Sequence, residues 1–403
     1  MLIKNNFINN FSFSSKKFCQ NLEKTKKVFK SFKSNLKNFE IPLLQSYEKN
    51  YTFDFNSNAI KKFCKYKNII IIGMGGSILG IKSIYSFFKT KVKKEVFFFD
   101  NLDANLYSQF NKIKNLKNSC FIIISKSGNT LETITNLGII FSRSLLKNKL
   151  ICITEIKNSG LMSIAKKYNA EIIEHRDFIV GRYSVLSEVG MFPAALMGLD
   201  ITKFGNLKKL IHDKHFVSSL IQNVASIYTF NKQNIKNSVI LNYDFDLNDL
   251  CYWYQQLAGE SLGKKGKGIM PILSSAPKDH HSLLQLYLDG PKDKFFTFFS
   301  SSTQENKYKV SEIIIPNSMR FLKNKKLSSI INAQCEATKN IFKLKNIPFR
   351  HFIFNKNKES ELGLIFTFFV LETILLARLM NVNPFDQPAV EQIKIEIKKV
   401  LSN

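Results

Sequence analysis

Between Phe121 and Thr133 the chain reads F-I-I-I-S-K-S-G-N-T-L-E-T, an apolar run that breaks into a hydroxyl-rich turn. Cys120 to Ile124 has the pattern of a buried strand, and Asn129 with Glu132 three residues later has that of a helix start. Ser125, Ser127, Thr130 and Thr133 then crowd the strand end and the first helical turn, where free N–H groups and the positive end of the dipole favour an anion. The same residues also suit an ordinary capped helix, and the turn alone does not choose. Three further groups offer chemistry. Arg182, in Gly181-Arg182-Tyr183-Ser184, precedes an apolar helical stretch and can aim its fork at an oxyanion or simply pair a structural carboxylate. Glu260 closes the helical run Trp253 to Ser261, where an acid opposes the dipole and so invites a role other than stability. In Asp279-His280-His281-Ser282, adjacent helical residues point roughly 100° apart, so one histidine at most faces a given site. With no His-x-x-x-His or cysteine cluster, a metal site is not expected.

Two glycine runs look like nucleotide loops and fail on spacing. Gly73-Met74-Gly75-Gly76-Ser77 follows an apolar run, but Ile78 stands where G-x-G-x-x-G needs its third glycine. Those glycines suit a close approach of backbone to ligand, or a plain tight turn. Gly263-Lys264-Lys265-Gly266-Lys267-Gly268 lacks the G-x-x-x-x-G-K-[ST] pattern and is rejected.

The elements that must hold these groups show a clear rhythm. N-I-I-I-I-G from Asn68, E-V-F-F-F-D, C-F-I-I-I-S and K-L-I-C-I-T alternate with amphipathic stretches, the signature of parallel βαβ units. A second series follows, near residues 237, 268, 294, 310 and 348. The fold class expected is therefore α/β, two parallel-sheet sandwiches with helical segments at both ends. The divisions expected are a helical segment at 1–67, a first α/β domain at 68–200 and a helical connection at 201–236. A second α/β domain at 237–380 and a C-terminal segment and helix at 381–403 complete the chain. Ligands in such sheets sit at the carboxyl ends of strands, where the Ser125 turn falls.

Composition narrows the classes. A chain of 403 residues that is 44% hydrophobic can bury one large or two ordinary cores. The net charge of +28 comes from lysines spread along the whole length, with no basic cluster or module for reading bases, so a nucleic-acid partner is not expected. The field should still draw in anionic ligands. The six cysteines show no C-x-x-C pair, which points to free thiols in a reducing, cytoplasmic setting, and no export signal is visible. The apolar stretch from Leu362 to Met380 carries Glu372 and Arg378, so a core helix is expected there and no membrane span.

Six segments in order resemble the glucose-6-phosphate isomerase family. They are G-M-G-G-S-I-L-G at 73–80, S-K-S-G-N-T-L-E-T at 125–133 and G-R-Y-S-V-L-S-E-V-G at 181–190, then G-E-S-L-G-K-K-G-K-G at 259–268, H-S-L-L-Q-L at 281–286 and N-P-F-D-Q-P-A-V-E-Q-I-K at 383–394. The chain departs from the family at Val180, where a glycine is usual, and at His280, where a glutamine is. The resemblance covers about 68–394 and implies interconversion of glucose 6-phosphate and fructose 6-phosphate without a cofactor, because proton transfer between neighbouring carbons is redox-neutral. It implies a phosphate pocket of Ser125, Ser127 and Thr130, with Thr133 and Ser77 nearby, and further substrate-binding residues in Gly76, Lys126 and Gln387. Glu260 becomes the base that moves a proton between carbons 2 and 1 through a cis-enediolate, and Arg182 the cation that stabilises it. His281, reaching in from the partner of a homodimer, and Lys394, near the ring oxygen, assist ring opening. Two other roles stay open: an isomerase that also takes mannose 6-phosphate, and a noncatalytic sugar-phosphate sensor, which would have no use for Glu260, His281 and Lys394 together.

Overall fold

The computed structural model describes residues 2–5, 15–141, 149–302 and 307–402. Ten strands form two sheets: β1 (Leu2–Asn5), β2 (Asn68–Gly73), β3 (Glu95–Phe99), β4 (Ser119–Ile124), β5 (Leu150–Thr154), β6 (Glu171–Glu174), β7 (Asn237–Asn242), β8 (Met270–Ser275), β9 (Lys294–Ser301) and β10 (Phe349–Phe354). The first sheet runs β3-β2-β4-β5-β6 and is parallel throughout. The second runs β1-β10-β9-β7-β8, parallel except for β1, which lies antiparallel on β10. Both are α/β layers covered by helices.

The uninterrupted isoleucine runs follow from burial on both faces. Ile69, Ile71, Ile122 and Ile124 enter the large core shared with the second sheet, while Ile70, Ile72, Phe121 and Ile123 enter a smaller core under the outer helices. With no face left to water, alternation disappears. Helix Glu359–Met380 is long and apolar enough to cross a membrane, yet 83% of its apolar window is buried inside the protein. It packs against helices Ser15–Lys37, Lys214–Lys232 and Asn248–Leu262, with Trp253 edge-on to Phe366 at 4.7 Å. That core-helix expectation holds.

Several expectations do not. The 1–67 segment carries helices Ser15–Lys37 and Ser57–Cys64 but is not helical throughout, because Leu2–Asn5 forms strand β1 on the edge of the second sheet. The V-S-E-I-I-I-P stretch forms no strand: Ile313 is 93% exposed in a loop bounded by a bridge between Lys309 and Lys326. Both sides of β9 are already paired, by β10 and β7, and Pro316 stops the run. Strand β6, E-I-I-E, was too short and too acidic to stand out. Asn129 does not cap its own helix, Leu131–Phe141; its Oδ1 accepts from the Gly160 N–H at 2.8 Å and so caps the neighbouring one.

In the first sheet the strand order reverses between β2 and β4, where Gly73 pairs with Ile124. The crevice beyond those two carboxyl ends is where ligands settle in such sheets. The glycine turn after β2 and the hydroxyl turn after β4 both open into it.

Candidate active site

Arg182 organises one wall. It lies in the 3-10 turn Gly181–Leu186 and is almost wholly buried. The turn presses on the glycine loop so closely that a Cβ on Gly76 would fall 2.3 Å from the Gly181 carbonyl carbon, so only glycine permits the contact. Ser184 Oγ secures it, donating to the Gly181 oxygen at 2.7 Å and the Gly76 oxygen at 3.3 Å. A buried guanidinium needs all its donors used. Nε donates to Ser261 Oγ at 2.8 Å, Nη1 to Glu260 Oε2 at 3.2 Å and Gln387 Oε1 at 2.9 Å, and Nη2 to the Pro384 and Asp386 carbonyls.

Glu260 stands in the last turn of helix Asn248–Leu262, as its sequence suggested. Its side chain keeps 31% of its surface exposed, which leaves the carboxylate open to a ligand. One oxygen faces Arg182; the other accepts from Gln256 Nε2 at 2.9 Å, one helical turn back. The carboxylate is thus held at both oxygens. Tyr183 braces the same corner from the core, its hydroxyl 2.8 Å from Ser261 Oγ, and burial pushes that phenol up to about 12.

The hydroxyl turn lies beyond β4. Ser125 Oγ and Thr130 Oγ1 are 2.9 Å apart, and Ser127 Oγ accepts from the Asn129 N–H at 3.2 Å. Gly128 sets the bend with φ +71°, and a Cβ there would strike Ser159 Oγ at 2.2 Å. Thr133 Oγ1 is buried with no hydrogen-bond partner, so its donor is available behind the turn. Lys126 Nζ donates to the Asp177 carbonyl at 2.7 Å and lies 3.6 Å from Glu155. Burial lowers the Lys126 pKa, only partly offset by that carboxylate.

A cavity of about 430 Å³ joins these walls. It is lined by Gly76, Ser77, Lys126, Ser127, Thr130, Arg182, Glu260, Gln387 and Lys394, so loops of the first sheet, the end of the Glu260 helix and the C-terminal segment meet there. Hollows of 860 Å³ around Glu48 and Asp213 and of 600 Å³ beside β3 are roomier but hold none of the candidate residues. Chemistry and not volume marks the site. Ser125 and Thr133 stand just behind the lining. His281 does not reach this chain's cavity: it is exposed on the 3-10 turn Lys278–His281, whereas its neighbour His280 is engaged with the Tyr243 hydroxyl at 2.8 Å. Lys394 lies on helix Pro388–Ser402, within 2.6 Å of Glu391. Gln256, Glu155 and Lys157 also line the cavity and escaped the sequence reading. For Gln256 a signal existed, its four-residue spacing from Glu260 on one helix face. Among the described residues no group of His, Cys, Asp and Glu forms a metal cluster.

Fold and cavity together define an α/β protein whose hydroxyl turn and Lys126 face an arginine–glutamate pair across one cavity. The family model for phosphoglucose isomerase matches residues 27–276, and the chain belongs to that family. It is 35% identical over 353 residues to a glucose-6-phosphate isomerase of Methanocaldococcus jannaschii, covering 85% of this chain and 86% of the relative. A glucose-6-phosphate isomerase of Mycoplasmopsis synoviae is 32% identical over 354 residues, 82% of this chain and 81% of the relative. A hypothetical protein of Thermus thermophilus shares the fold over the full length of both chains, with a TM-score of 0.85 at 20% identity. A glucose-6-phosphate isomerase structure from Chlamydia trachomatis superposes with a TM-score of 0.71 at 18% identity, over 86% of this chain and 72% of the other.

Proposed function

We propose that this chain interconverts glucose 6-phosphate and fructose 6-phosphate. The observation that carries the reading is a carboxylate, Glu260, held at both oxygens and open to the same cavity that receives the hydroxyl turn and Lys126. The 6-phosphate occupies the turn, accepting from Ser77, Ser127, Thr130 and backbone N–H groups, with the Lys126 charge beside it. That handle fixes carbons 1 and 2 against Glu260. The carboxylate removes the proton from carbon 2 of the open-chain aldose, and the electron pair becomes the double bond of a cis-enediolate. As carbon 1 loses its carbonyl its oxygen takes the charge, the hydroxyl proton passes from the carbon 2 oxygen to the carbon 1 oxygen, and the same carboxylic acid returns its proton to carbon 1 while the carbon 2 oxygen becomes the ketose carbonyl. Arg182 faces the oxygen on which negative charge grows, and its five protein acceptors mean that it needs no reorganisation to do so. Gln387 and Lys394 address the sugar, Lys394 near the ring oxygen.

His281 assists ring opening from a second copy of the chain in a homodimer. Two features support that reading: His281 is exposed, and the C-terminal helix bears Ile393, Val400 and Leu401 each more than half exposed, a patch that suits burial against a partner. Light scattering should find a dimer; a fully active monomer would remove the shared-site part of the account. The free thiols, four of them buried, suit a reducing cytoplasmic setting.

The test is a coupled assay of fructose 6-phosphate turnover with Glu260→Gln beside the native protein. The substitution keeps the shape and removes the base, and kcat should drop by about 10³-fold or more with KM little changed. Turnover near the native level in the variant would end the base assignment.

A further inference from the structure

The lysine-rich loop Gly263–Gly268 fits no nucleotide pattern, yet it directly follows the helix that carries Glu260. Its contacts run toward the C-terminal segment. Lys264 Nζ donates to the Asn383 carbonyl, pairs with the Asp386 carboxylate at 2.9 Å and reaches the Ser261 carbonyl at 3.3 Å. Lys267 Nζ donates to the Met380 carbonyl at 2.8 Å. The loop closes tightly behind them: Lys265 and Gly266 have positive φ of 53° and 69°, and the Lys267 N–H donates to the Lys264 carbonyl at 2.9 Å.

The segment so gripped is the one that completes the Arg182 wall. Between the two anchor points, at Met380 and at Asn383 with Asp386, lie Pro384 and the residues leading to Gln387. Pro384 and Asp386 supply the carbonyls on Arg182 Nη2, and Gln387 supplies the oxygen on Nη1. Helix Pro388–Ser402, with Lys394, begins at the next residue. The stretch is also tied to the body by the Arg182 bonds, by the Tyr183 hydroxyl donating to the Pro384 carbonyl at 3.2 Å, by Phe385 packing on Tyr183 at 5.7 Å and by Val382 in the core; the two lysines add the charged contacts from the Glu260 side. The Lys264 side chain is only 11% exposed, although its Asp386 partner is about half open to solvent. Burial lowers its pKa despite Asp386. One side chain bridges the base's helix, through the Ser261 carbonyl, to the segment that orients the oxyanion arginine.

We propose that Lys264 is a positioning residue for the isomerase reaction, with Lys267 as its second anchor. It latches the 380–387 segment to the end of the Glu260 helix, fixing Arg182 and Gln387 relative to the base. The proposal rests on the isomerase reading for its kinetic arm and on geometry alone for its structural arm. The phosphate seat lies on the other wall, on loops from the first sheet, and is not touched by the latch.

Lys264→Met, Lys264→Arg and Lys267→Met are compared with Lys265→Met, an exposed lysine in the same loop. In fructose 6-phosphate assays Lys264→Met should lower kcat roughly 10- to 100-fold with KM within about threefold, the pattern of a misplaced catalytic wall with substrate anchoring intact. Lys264→Arg should recover part of the loss, Lys267→Met should show a smaller one and Lys265→Met none. Amide exchange should quicken at 381–387 in Lys264→Met and stay native at 125–133. Native kcat in Lys264→Met, or a loss that appears equally in kcat and at the phosphate turn, would overturn the proposal. A native protein that fails to turn over sugar phosphates would sink the isomerase reading, while unchanged exchange at 381–387 would sink the latch by itself.

Discussion

The Arg182–Glu260 and Arg350–Glu372 pairs are chemically the same and are used differently. In the second, both side chains are fully buried between β10 and helix Glu359–Met380, and the guanidinium is held by both glutamate oxygens, by Thr297 Oγ1 at 3.0 Å and by Asn223 Oδ1 at 3.2 Å. Nothing is left to meet a ligand. In the first, the arginine is equally buried, but the glutamate keeps part of its surface in a cavity and its second oxygen is steadied by a neutral amide. A buried carboxylate with matched partners organises a core; a carboxylate with a buried arginine behind it and open space in front is set up for proton transfer.

Three substitutions sharpen that contrast. Glu372→Gln leaves the Arg350 charge buried without its counterion and should cost about 3–5 kcal/mol in urea unfolding, with kcat of the folded fraction near native. Replacing both partners, Arg350→Met with Glu372→Leu, should recover much of that loss, because the penalty lies in the orphaned charge and not in the missing pair. Arg182→Lys should behave in the opposite way. It keeps a charge but loses the fork, so kcat should fall about 10²–10³-fold, while the acceptors left unpaired should cost only about 1–3 kcal/mol in urea unfolding, less than the orphaned Arg350 charge. A large loss of stability with proportionate activity would place Arg182 among the structural arginines.

The smallest effect concerns the loop that carries Arg182 from β6. His175 is buried there, its Nε2 without a hydrogen-bond partner, and burial lowers its pKa from 6.5 to about 4. Lys126 disfavours the charged ring and Glu155 favours it, but burial outweighs both. Since the unfolded chain takes up the proton first, this contribution is complete above pH 6.5 and is lost as pH falls toward about 4. Between pH 7 and 5 it should remove about 2 kcal/mol of stability. His175→Gln cannot titrate, so the acid slope measured by urea unfolding should flatten by that amount.

Much of the site was legible because its logic is local. The strand run ending at Ser125, the glycine loop after Gly73 and the acid at a helix end each declare themselves within about ten residues. What escaped depends on partners far away in sequence. Asn129 has the spacing of a self-cap, yet Gly160 lies nearer its oxygen. Ile313 to Ile315 have strand composition but lie in a loop, with Ile313 and Ile314 exposed and Pro316 ending the run. The Lys264 loop looked like a failed nucleotide motif because its acceptors, Asn383 and Asp386, lie more than a hundred residues on. Strand β1 gave no signal at all, since its partner β10 lies more than three hundred residues away in sequence.

The central claim is that Glu260 carries the proton between neighbouring carbons. The direct measurement is isomerisation of fructose 6-phosphate in D₂O, with deuterium at carbon 2 of the glucose 6-phosphate product read by NMR. A carboxylate partly open to solvent exchanges its proton during some turnovers, so the native protein should place deuterium at carbon 2, and Glu260→Gln should neither turn over nor incorporate label. Product formed by the native protein with no deuterium, the mark of a direct hydride shift, or label incorporated by Glu260→Gln at the native rate, would contradict the account.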